Sequence, residues 1–207
     1  MSGSRDRFGG SFQRAIGIFR EQGGMLRTSE ALRVGIHPRT LYGLRDAGII
    51  ERLSRGLYRL VETPPLGNPD LITVALKVPK GVICLVSALA FHNLTIQVPH
   101  KVYLALPRES RKPRLRYPPL QVFEFGSEVF PAGIEVHELD GVSVRVYSPE
   151  KTLADCFKYR NKLGLDVAIE ALKLYAERRN VKVGEITRYA QICRVAKVMR
   201  PYLEVVF

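Results

Sequence analysis

The sequence predicts an α+β protein in which a small N-terminal domain of helices and a β-hairpin precedes a larger C-terminal, mixed α/β domain. Two observations divide the chain in this way. Residues 1–62 show three helical spacings followed by two short strand patterns. Val61–Asp70 then contains three prolines and one glycine, a composition typical of a domain boundary. We therefore predict domains at residues 1–62 and 70–207, joined by a linker at 63–69.

The first two helices are predicted from apolar spacing and from residues that begin or end helices. The first ten residues are polar and glycine-rich and are predicted to be a frayed tail. A helix is expected from Ser11 to Gly23, and Thr28 or Ser29 could cap a second one with its hydroxyl. The predicted apolar faces consist of Phe12, Ala15, Ile16 and Phe19, and of Ala31, Leu32 and Val34.

A third helix and a hairpin complete the predicted N-terminal domain. Pro38 suits the first turn of a helix because its missing amide would have no partner there, and Gly48 ends the helix. Gly56 permits the positive backbone angle that a tight hairpin turn requires. The predicted inward residues are Leu41, Leu44 and Ala47, and the predicted strands are Ile49–Leu53 and Leu57–Val61.

Three helices followed by a two-stranded hairpin form the element order of a winged helix-turn-helix, a module that often binds DNA. Residues 1–62 contain eleven arginines, no lysine and six acidic residues, which gives a net charge of +5. Arginine suits phosphate and base recognition because its planar fork can donate two hydrogen bonds at once. The alternative is a winged helix that contacts another protein, with the arginines as ordinary surface charge.

The start of the third helix is the part that enters a major groove, so we predict that Arg39 and Thr40 contact base edges. Gly43 would either allow the DNA backbone to approach closely or pack against a neighbouring element. Arg55 lies at the hairpin tip, where it could enter a narrow minor groove. Phosphate contacts are assigned to Tyr42, Arg45, Arg52 and Arg59.

Composition limits the partners and the location of the whole chain. The 207 residues carry a net charge of +12 with a pI of about 9.9, which favours a polyanionic partner, either nucleic acid or an anionic membrane surface, over a merely basic protein. No apolar stretch approaches the roughly 20 residues that span a bilayer, and the N-terminus lacks the apolar core of a signal peptide. We therefore predict a cytoplasmic protein without membrane contact. Three scattered cysteines predict buried thiols and no disulfide framework.

The second domain is predicted to alternate between helices and strands. Helical spacing covers residues 70–79 and 86–94, and strand patterns cover residues 100–107 and 120–126. A hairpin with Asp140-Gly141 at its turn is expected over residues 134–148. Ser148 and Pro149 then begin the first of three further helices, predicted at residues 148–164, 165–180 and 183–203.

The second domain shows no catalytic motif, so we predict that the protein is not an enzyme and needs no cofactor or metal. His92, His100 and His137 lack the spacing of a metal site and are expected to have capping or core roles. Asp155 is predicted to be a helix-surface carboxylate paired with Lys151 or Lys158 rather than a catalytic base.

Basic residues cluster in two parts of the second domain. Pro107–Pro119 has five basic residues and one acid, and Lys158–Arg200 has eleven basic residues and four acids. These residues either form a solvated surface or contact a polyanion such as flanking DNA, RNA or an acidic protein. The candidate basic surface consists of Arg108, Arg111, Lys112, Arg114, Arg116, Arg178 and Arg179.

The chain resembles the AbiE-type antitoxins, which are the transcription-regulating halves of bacterial type IV toxin–antitoxin modules. The resemblance rests on residues 23–60, 86–107, 129–173 and 198–203, and "VYSPEKTLADCFKYRN" is its most specific stretch. It implies an N-terminal domain that represses its own operon, often at inverted repeats, and a C-terminal domain required for antitoxin action. It also implies a nucleotidyltransferase-like toxin as partner, with or without direct contact.

We therefore predict an antitoxin that also binds operator DNA and represses its own operon. The alternative is a stand-alone winged-helix regulator whose C-terminal domain senses a ligand or forms oligomers. A nucleic-acid-processing enzyme is the third and weakest hypothesis, because no cluster of acidic residues has the spacing of a metal site.

Overall fold

The computed structural model describes residues 9–63 and 67–207, and these divide into two compact units. The first unit contains the described residues up to Pro69 together with Leu139–Val142. The second contains Asp70–Glu138 and Ser143–Phe207. Most of the predicted N-terminal tail and residues 64–66 of the predicted linker lie outside the described residues. The linker and the exact domain limits therefore stay predictions.

The first unit has the predicted order of three helices and a hairpin, with one additional short strand. Its three strands form an antiparallel sheet in the order β1-β3-β2, in which Arg59 of β3 lies opposite both Met25 and Glu51. The elements are α1 (Gly10–Glu21), β1 (Met25–Arg27), α2 (Thr28–Arg33), α3 (Pro38–Asp46), β2 (Ile50–Ser54) and β3 (Leu57–Leu60).

Local sequence explains where α1 and α3 begin and end. Gly23 and Gly24 follow α1 with φ angles of 75° and 82°, a region in which glycine has no steric penalty. Pro38 occupies the first turn of α3, as predicted, and the His37 ring Nδ1 accepts a hydrogen bond from the Arg39 amide at 3.2 Å. The buried core of the unit includes Ala15, Ile16, Phe19, Leu26, Ala31, Ile36, Leu41, Leu44, Ile50, Tyr58 and Leu60.

The predicted cap of α2 is wrong. The Arg27 amide begins the helix by donating to the Glu30 carboxylate at 2.8 Å. Thr28 instead donates twice to the carbonyl of Gly56, from its amide at 2.7 Å and from its hydroxyl at 3.3 Å. The unpredicted strand β1 explains the difference, because it brings Thr28 beside the hairpin turn.

Three residues that were predicted to face the core are exposed instead. Leu32 and Val34 of the α2 region are 43% and 39% exposed, and Ala47 is exposed at the end of α3. A helix of six residues covers only one narrow face, and in α2 that face is filled by Ala31. Ile36, which follows the helix, supplies the apolar contact that Leu32 and Val34 were expected to make.

The second unit contains a five-stranded sheet and seven helices among the residues that the structure describes. Ser148 caps α6 as predicted, since its hydroxyl accepts from the Lys151 amide. The elements are α4 (Pro69–Lys77), β4 (Val82–Ile83), α5 (Leu85–Phe91), β5 (Val102–Pro107), β6 (Leu120–Phe125), β7 (Ile134–Leu139), β8 (Val142–Tyr147), α6 (Pro149–Lys158), α7 (Arg160–Leu163), α8 (Leu165–Ala176), α9 (Val183–Ile192) and α10 (Ala196–Val206).

The sheet has the strand order β6-β5-β4-β8-β7 and is mixed. Strands β5 and β6 are parallel neighbours, with Val102 opposite Leu120 and Pro107 opposite Phe125. Strand β4 is antiparallel to β5 and parallel to β8. The parallel pair β5–β6 therefore brings its two carboxyl ends to the same edge of the sheet.

Two of the predicted C-terminal helices are interrupted. The segment 148–164 breaks at Tyr159 into α6 and α7, and the segment 183–203 breaks at Cys193–Val195 into α9 and α10. Arg194 takes a φ angle of 59° at the second break. The two-residue strand β4 was not predicted. Among the described residues, no helix is long and apolar enough to cross a membrane.

Candidate nucleic-acid interface

Helix α3 presents a basic face that its own buried residues hold in place. Leu41 and Leu44 are completely buried in the core of the first unit. Arg39, Tyr42 and Arg45 lie on the opposite side and are exposed. The predicted inward and outward positions are thus confirmed for these five residues, because they follow the period of an α-helix.

Gly43 does not belong to the exposed face. A Cβ atom at this position would lie 2.7 Å from Cζ of Phe12 in α1. The glycine therefore lets α1 and α3 pack closely, which is the second of the two roles considered for it. The prediction that Gly43 admits a DNA backbone is not supported by this geometry.

The Arg45 guanidinium is already partly engaged. Its Nη2 and Nε donate to the Asp46 carboxylate at 2.7 and 2.9 Å, and its Cζ lies 5.2 Å from the centre of the Tyr42 ring. The hydrogen bonds to Asp46 raise the pKa of Arg45 further, so its charge is permanent at any physiological pH. This arrangement holds the Arg45 side chain beside Tyr42 before any ligand binds. It also places the Asp46 carboxylate next to the Arg45 guanidinium.

The hairpin turn is confirmed at the predicted place. Arg55 is exposed at the tip, and Gly56 has a φ angle of 74°. The two bonds from Thr28 to the Gly56 carbonyl fix this turn to the beginning of α2. Arg52 is exposed on β2 and has its own contact within the protein. Arg55 is therefore an exposed cation on a turn of fixed position.

Arg59 does not suit the phosphate contact that was predicted for it. Its side chain is only 11% exposed and pairs with Glu51 at 3.1 Å. It also donates to the hydroxyl and the carbonyl of Thr63, at 2.8 and 2.7 Å. These bonds join β3 to the residues that follow it, so we assign Arg59 to the packing of the first unit.

A cleft of about 400 Å³ lies beside the beginning of α3 and α1. Its lining includes His37 and Thr40 from the beginning of α3 and Arg14 from α1. Arg14 was not among the predicted site residues. No spacing in the sequence indicates that the first turns of these two helices would share a cleft.

The basic loop of the second unit is exposed. Residues 108–119 form neither helix nor strand, and all five of their cations lie at the surface: Arg108, Arg111, Lys112, Arg114 and Arg116. Arg179 is also exposed, whereas Arg178 is half-buried, donates to the carbonyl of His92 and lies over the ring of Tyr175 at 5.6 Å. Arg178 thus has a packing role that the sequence did not indicate.

Asp155 lies in the interior of the second unit, so its predicted place on a helix surface is wrong. Its predicted pairing with Lys151 is confirmed, because Lys151 Nζ donates to both carboxylate oxygens at 2.6 Å and both side chains are 0% exposed. The Cys193 thiol also donates to Asp155 at 3.3 Å. The Lys151 ammonium lies 4.4 Å from the ring centre of Tyr147 and 4.9 Å from that of Phe125.

Burial governs the protonation of this cluster. It raises the pKa of Asp155, while the neighbouring Lys151 ammonium opposes that rise. It also raises the pKa of Cys193 to about 12 and the pKa of Cys84 and Cys156 above their ordinary value. The prediction of three buried thiols is confirmed. These thiols remain protonated at neutral pH, which is unsuited to nucleophilic chemistry.

His92 and His137 have structural contacts, whereas His100, for which a capping or core role was also predicted, is exposed and caps no helix in the described structure. His92 Nε2 pairs with the Tyr147 carbonyl at 2.7 Å, and His137 pairs with Glu135 at 3.2 Å. The rings of His92 and His137 lie 6.0 Å apart, a proximity that the sequence did not predict. Burial lowers the pKa of His92. No group of three potential metal ligands occurs in the described part of the chain.

Comparison with known proteins confirms the resemblance for the first unit. Residues 13–61 match a family model described as "Transcriptional regulator, AbiEi antitoxin". This match supports a regulatory role of the toxin–antitoxin class, and the matched family is not a family of enzymes. No curated protein matches the chain.

The fold as a whole has a counterpart among solved structures. The chain is similar to the RV2827C protein from Mycobacterium tuberculosis, with a TM-score of 0.54 and 12% identity. The likeness covers 98% of this chain and 83% of that chain. At this identity the likeness concerns the fold alone, and it confirms the predicted α+β class.

Proposed function

We propose that the protein is an antitoxin of an AbiE-like toxin–antitoxin module that also binds operator DNA and represses its own operon. The basic beginning of α3 carries the proposal. Arg39 and Thr40 stand at the first turn of a helix whose buried face, Leu41 and Leu44, is fixed in the core. This helix lies within the segment that matches the antitoxin and regulator family.

In this proposal the residues of the first unit divide into base and backbone contacts. Arg39 donates two hydrogen bonds to the acceptor pair of a guanine, which is the commonest specific contact of arginine. Tyr42 and Arg45 lie further along the helix and contact phosphates, which position the protein without reading sequence. Arg55 at the hairpin tip enters the adjacent minor groove. Arg59 is omitted because its guanidinium is bonded to Glu51 and Thr63.

Binding to the operator tests the regulatory half. Fluorescence anisotropy on the promoter fragment of the chain's own operon should show that Arg39→Ala costs roughly 1–3 kcal/mol on the operator and much less on random DNA. Arg45→Ala should weaken both by a similar factor. Arg20→Ala is the matched control, because Arg20 is an exposed arginine of the same unit that pairs with Glu62.

Three results would contradict the regulatory half. If Arg39→Ala lost the same affinity for operator and random DNA, the placement of α3 in the major groove would be wrong. If Arg20→Ala weakened DNA binding as much as Arg39→Ala, the loss of affinity would be explained by the lower net charge and not by a specific contact of Arg39. An unchanged affinity in all three variants would favour a winged helix that contacts protein.

The antitoxin half is supported by the exposed loop of five cations and needs a separate test. We propose that this loop contacts a polyanion or an acidic surface during neutralisation of a nucleotidyltransferase-like toxin. A variant with Arg108, Arg111, Lys112 and Arg114 changed to glutamate should rescue growth poorly when co-expressed with the adjacent gene. Operator affinity should fall only modestly, because charges on the surface are screened beyond about 10 Å at 0.1 M salt.

Growth rescue also separates this function from the stand-alone regulator. Full rescue by the folded quadruple variant would exclude the loop as the antitoxin surface. An adjacent gene product that is not toxic, or that the wild-type chain fails to neutralise, would favour the stand-alone regulator instead.

A further inference from the structure

A cleft of about 570 Å³ opens at the carboxyl ends of the parallel strands β5 and β6 in the second unit. Arg108 follows β5 directly, and its amide donates to the carbonyl of Phe125, the last residue of β6. In open α/β sheets, ligands bind in the crevice outside the carboxyl ends of the parallel strands. The volume is within the roughly 300–1,000 Å³ usual for small-molecule sites.

The cleft brings together three cations from distant parts of the chain. Arg108 comes from the end of β5, Lys158 from the end of α6 and Arg194 from the corner between α9 and α10. Within the part of the chain that the structure describes, none of the three side chains makes an ion pair or a hydrogen bond. Their charges are therefore available to an anion that enters the cleft.

The same lining also offers hydrogen-bond acceptors. Glu109 and Glu128 line the cleft, together with Ser127. A bare phosphate would gain nothing from two carboxylates. A ligand with both an anionic group and hydroxyl donors would satisfy both the cations and the carboxylates, since carboxylates commonly accept from ribose hydroxyls in nucleotide sites.

Backbone conformation supports a functional role for this lining. Five non-glycine residues in the described ranges have positive φ angles, and three of them are neither asparagine nor aspartate. Two of those three, Glu109 at 65° and Arg194 at 59°, line the cleft. Residues with longer side chains rarely adopt this conformation, and such residues cluster at ligand sites.

The position of Arg194 is one at which helices usually place glycine. The Val195 amide donates to the Ala190 carbonyl and the Arg194 amide to that of Gln191, which is the pattern that closes a helix with a left-handed residue. An arginine here is less favourable for the backbone than a glycine would be. Its side chain, which lines the cleft, gives a reason for its presence.

The buried ion pair holds two of the cations in place. Lys151 and Asp155 belong to α6, which ends at Lys158, and the Cys193 thiol donates to Asp155 from the residue before Arg194. The network thus fixes the end of α6 against the α9–α10 corner. This explains why Lys158 and Arg194 meet at one cleft although 35 residues separate them in the chain.

We propose that this cleft binds a nucleotide, with Arg108, Lys158 and Arg194 on the phosphate and Glu109 and Glu128 on the ribose hydroxyls. The site lies wholly in the second unit and does not rest on the proposed operator binding.

Isothermal titration calorimetry on the full chain tests the proposal. ATP, GTP, CTP and UTP, AMP, inorganic phosphate and a 5′-phosphorylated RNA dinucleotide are titrated separately. We expect at least one nucleotide to bind more tightly than inorganic phosphate. The comparison of free nucleotides with the dinucleotide distinguishes a free nucleotide from the end of an RNA.

Arg194→Gly separates binding from folding. Because glycine suits the backbone at this corner, the variant should melt at an equal or higher temperature while its Kd for the nucleotide rises about tenfold or more, as expected for a lost charged hydrogen bond. Lys158→Gln should weaken binding similarly. Lys173→Gln is the matched control, since Lys173 is exposed on α8 outside the cleft.

Several results would overturn the proposal. These are no binding of any nucleotide by the wild-type chain, equal affinities for inorganic phosphate and nucleotides, or a change in Lys173→Gln as large as in Lys158→Gln. Operator affinity should not change in Arg194→Gly. A failure of the nucleotide site would therefore leave the proposed operator binding untouched, and the reverse also holds.

Discussion

Replacing Lys151 by methionine should destabilise the second unit more than any surface substitution. Methionine keeps most of the length of the lysine stem, which packs so closely that a Cβ at Gly133 would lie 2.7 Å from Lys151 Cβ. The substitution removes the only cation that contacts the Asp155 carboxylate in the described structure. Asp155 would remain 0% exposed, with the Cys193 thiol as its remaining donor.

The magnitude follows from two opposing effects. At an effective dielectric constant of about 20, two unit charges 2.6 Å apart attract each other by about 6 kcal/mol. Removal of two ions from water costs several kcal/mol for each, so the intact pair contributes little net stability. Removal of one partner leaves the other without compensation, and we expect Lys151→Met to lower the free energy of unfolding by about 3–5 kcal/mol.

The loss of unfolding free energy in Lys151→Met should depend on pH in a defined direction. Burial raises the pKa of Asp155 above its ordinary value of 3.8, and loss of Lys151 removes the charge that opposes this rise. The folded variant then holds a proton that the unfolded chain has lost, so its stability falls as pH rises through the interval between the two pKa values. The deficit should therefore be smaller near about pH 5 than at neutral pH.

Urea unfolding followed by thiol labelling measures this deficit in the second unit, because all three cysteines are buried there. The double variant Lys151→Met/Asp155→Leu is the control and should recover most of the loss, since it leaves no unpaired charge. A single variant as stable as wild type, or a double variant no better than the single one, would refute the account of an uncompensated buried carboxylate.

Three further predictions concern single features. Gly43→Ala should lower stability by about 1 kcal/mol in urea unfolding, because the gain in helix propensity is smaller than the cost of moving Phe12; in a Phe12→Leu background the same change should stabilise. Arg55→Ala should flatten the dependence of log affinity on log salt by about 0.9 or change the preference for flanking A·T steps, and an unchanged slope together with an unchanged preference would remove Arg55 from the DNA contacts. The three cysteines should not react with a thiol reagent in the native protein at mildly alkaline pH, and a fast reaction would contradict their raised pKa values.

The predictions from sequence succeeded where short-range chemistry decides the structure. Pro38 at the start of α3, Gly56 in the hairpin turn and Ser148 at the start of α6 each act within a few residues of their own position. The strands β1 and β4 were missed because they contain three and two residues, too few to show the alternation of a strand. Both form only because longer strands pair with them.

The burial of a side chain by residues that are distant in the sequence could not be predicted from the sequence alone. Asp155 is charged and occurs in a helix with lysines four residues before it and three after it, a pattern that usually indicates a solvated face. Only the packing of α8, α9 and α10 around α6 shows that this face is interior. Arg59 was assigned to DNA for the same reason, since its partners Glu51 and Thr63 are brought to it by the fold.

Hydrogen bonds from Thr28 attach the hairpin tip to the rest of the first unit, and β1 pairs with β3 as far as Leu57. A tip held in this way cannot swing to follow the path of a duplex. In an operator complex the DNA would have to bend or narrow its groove to meet Arg55, and the energy of that deformation depends on the stiffness of base steps that no side chain touches. Operators that differ only in those steps should then differ in affinity, with flexible pyrimidine–purine steps preferred beneath the tip.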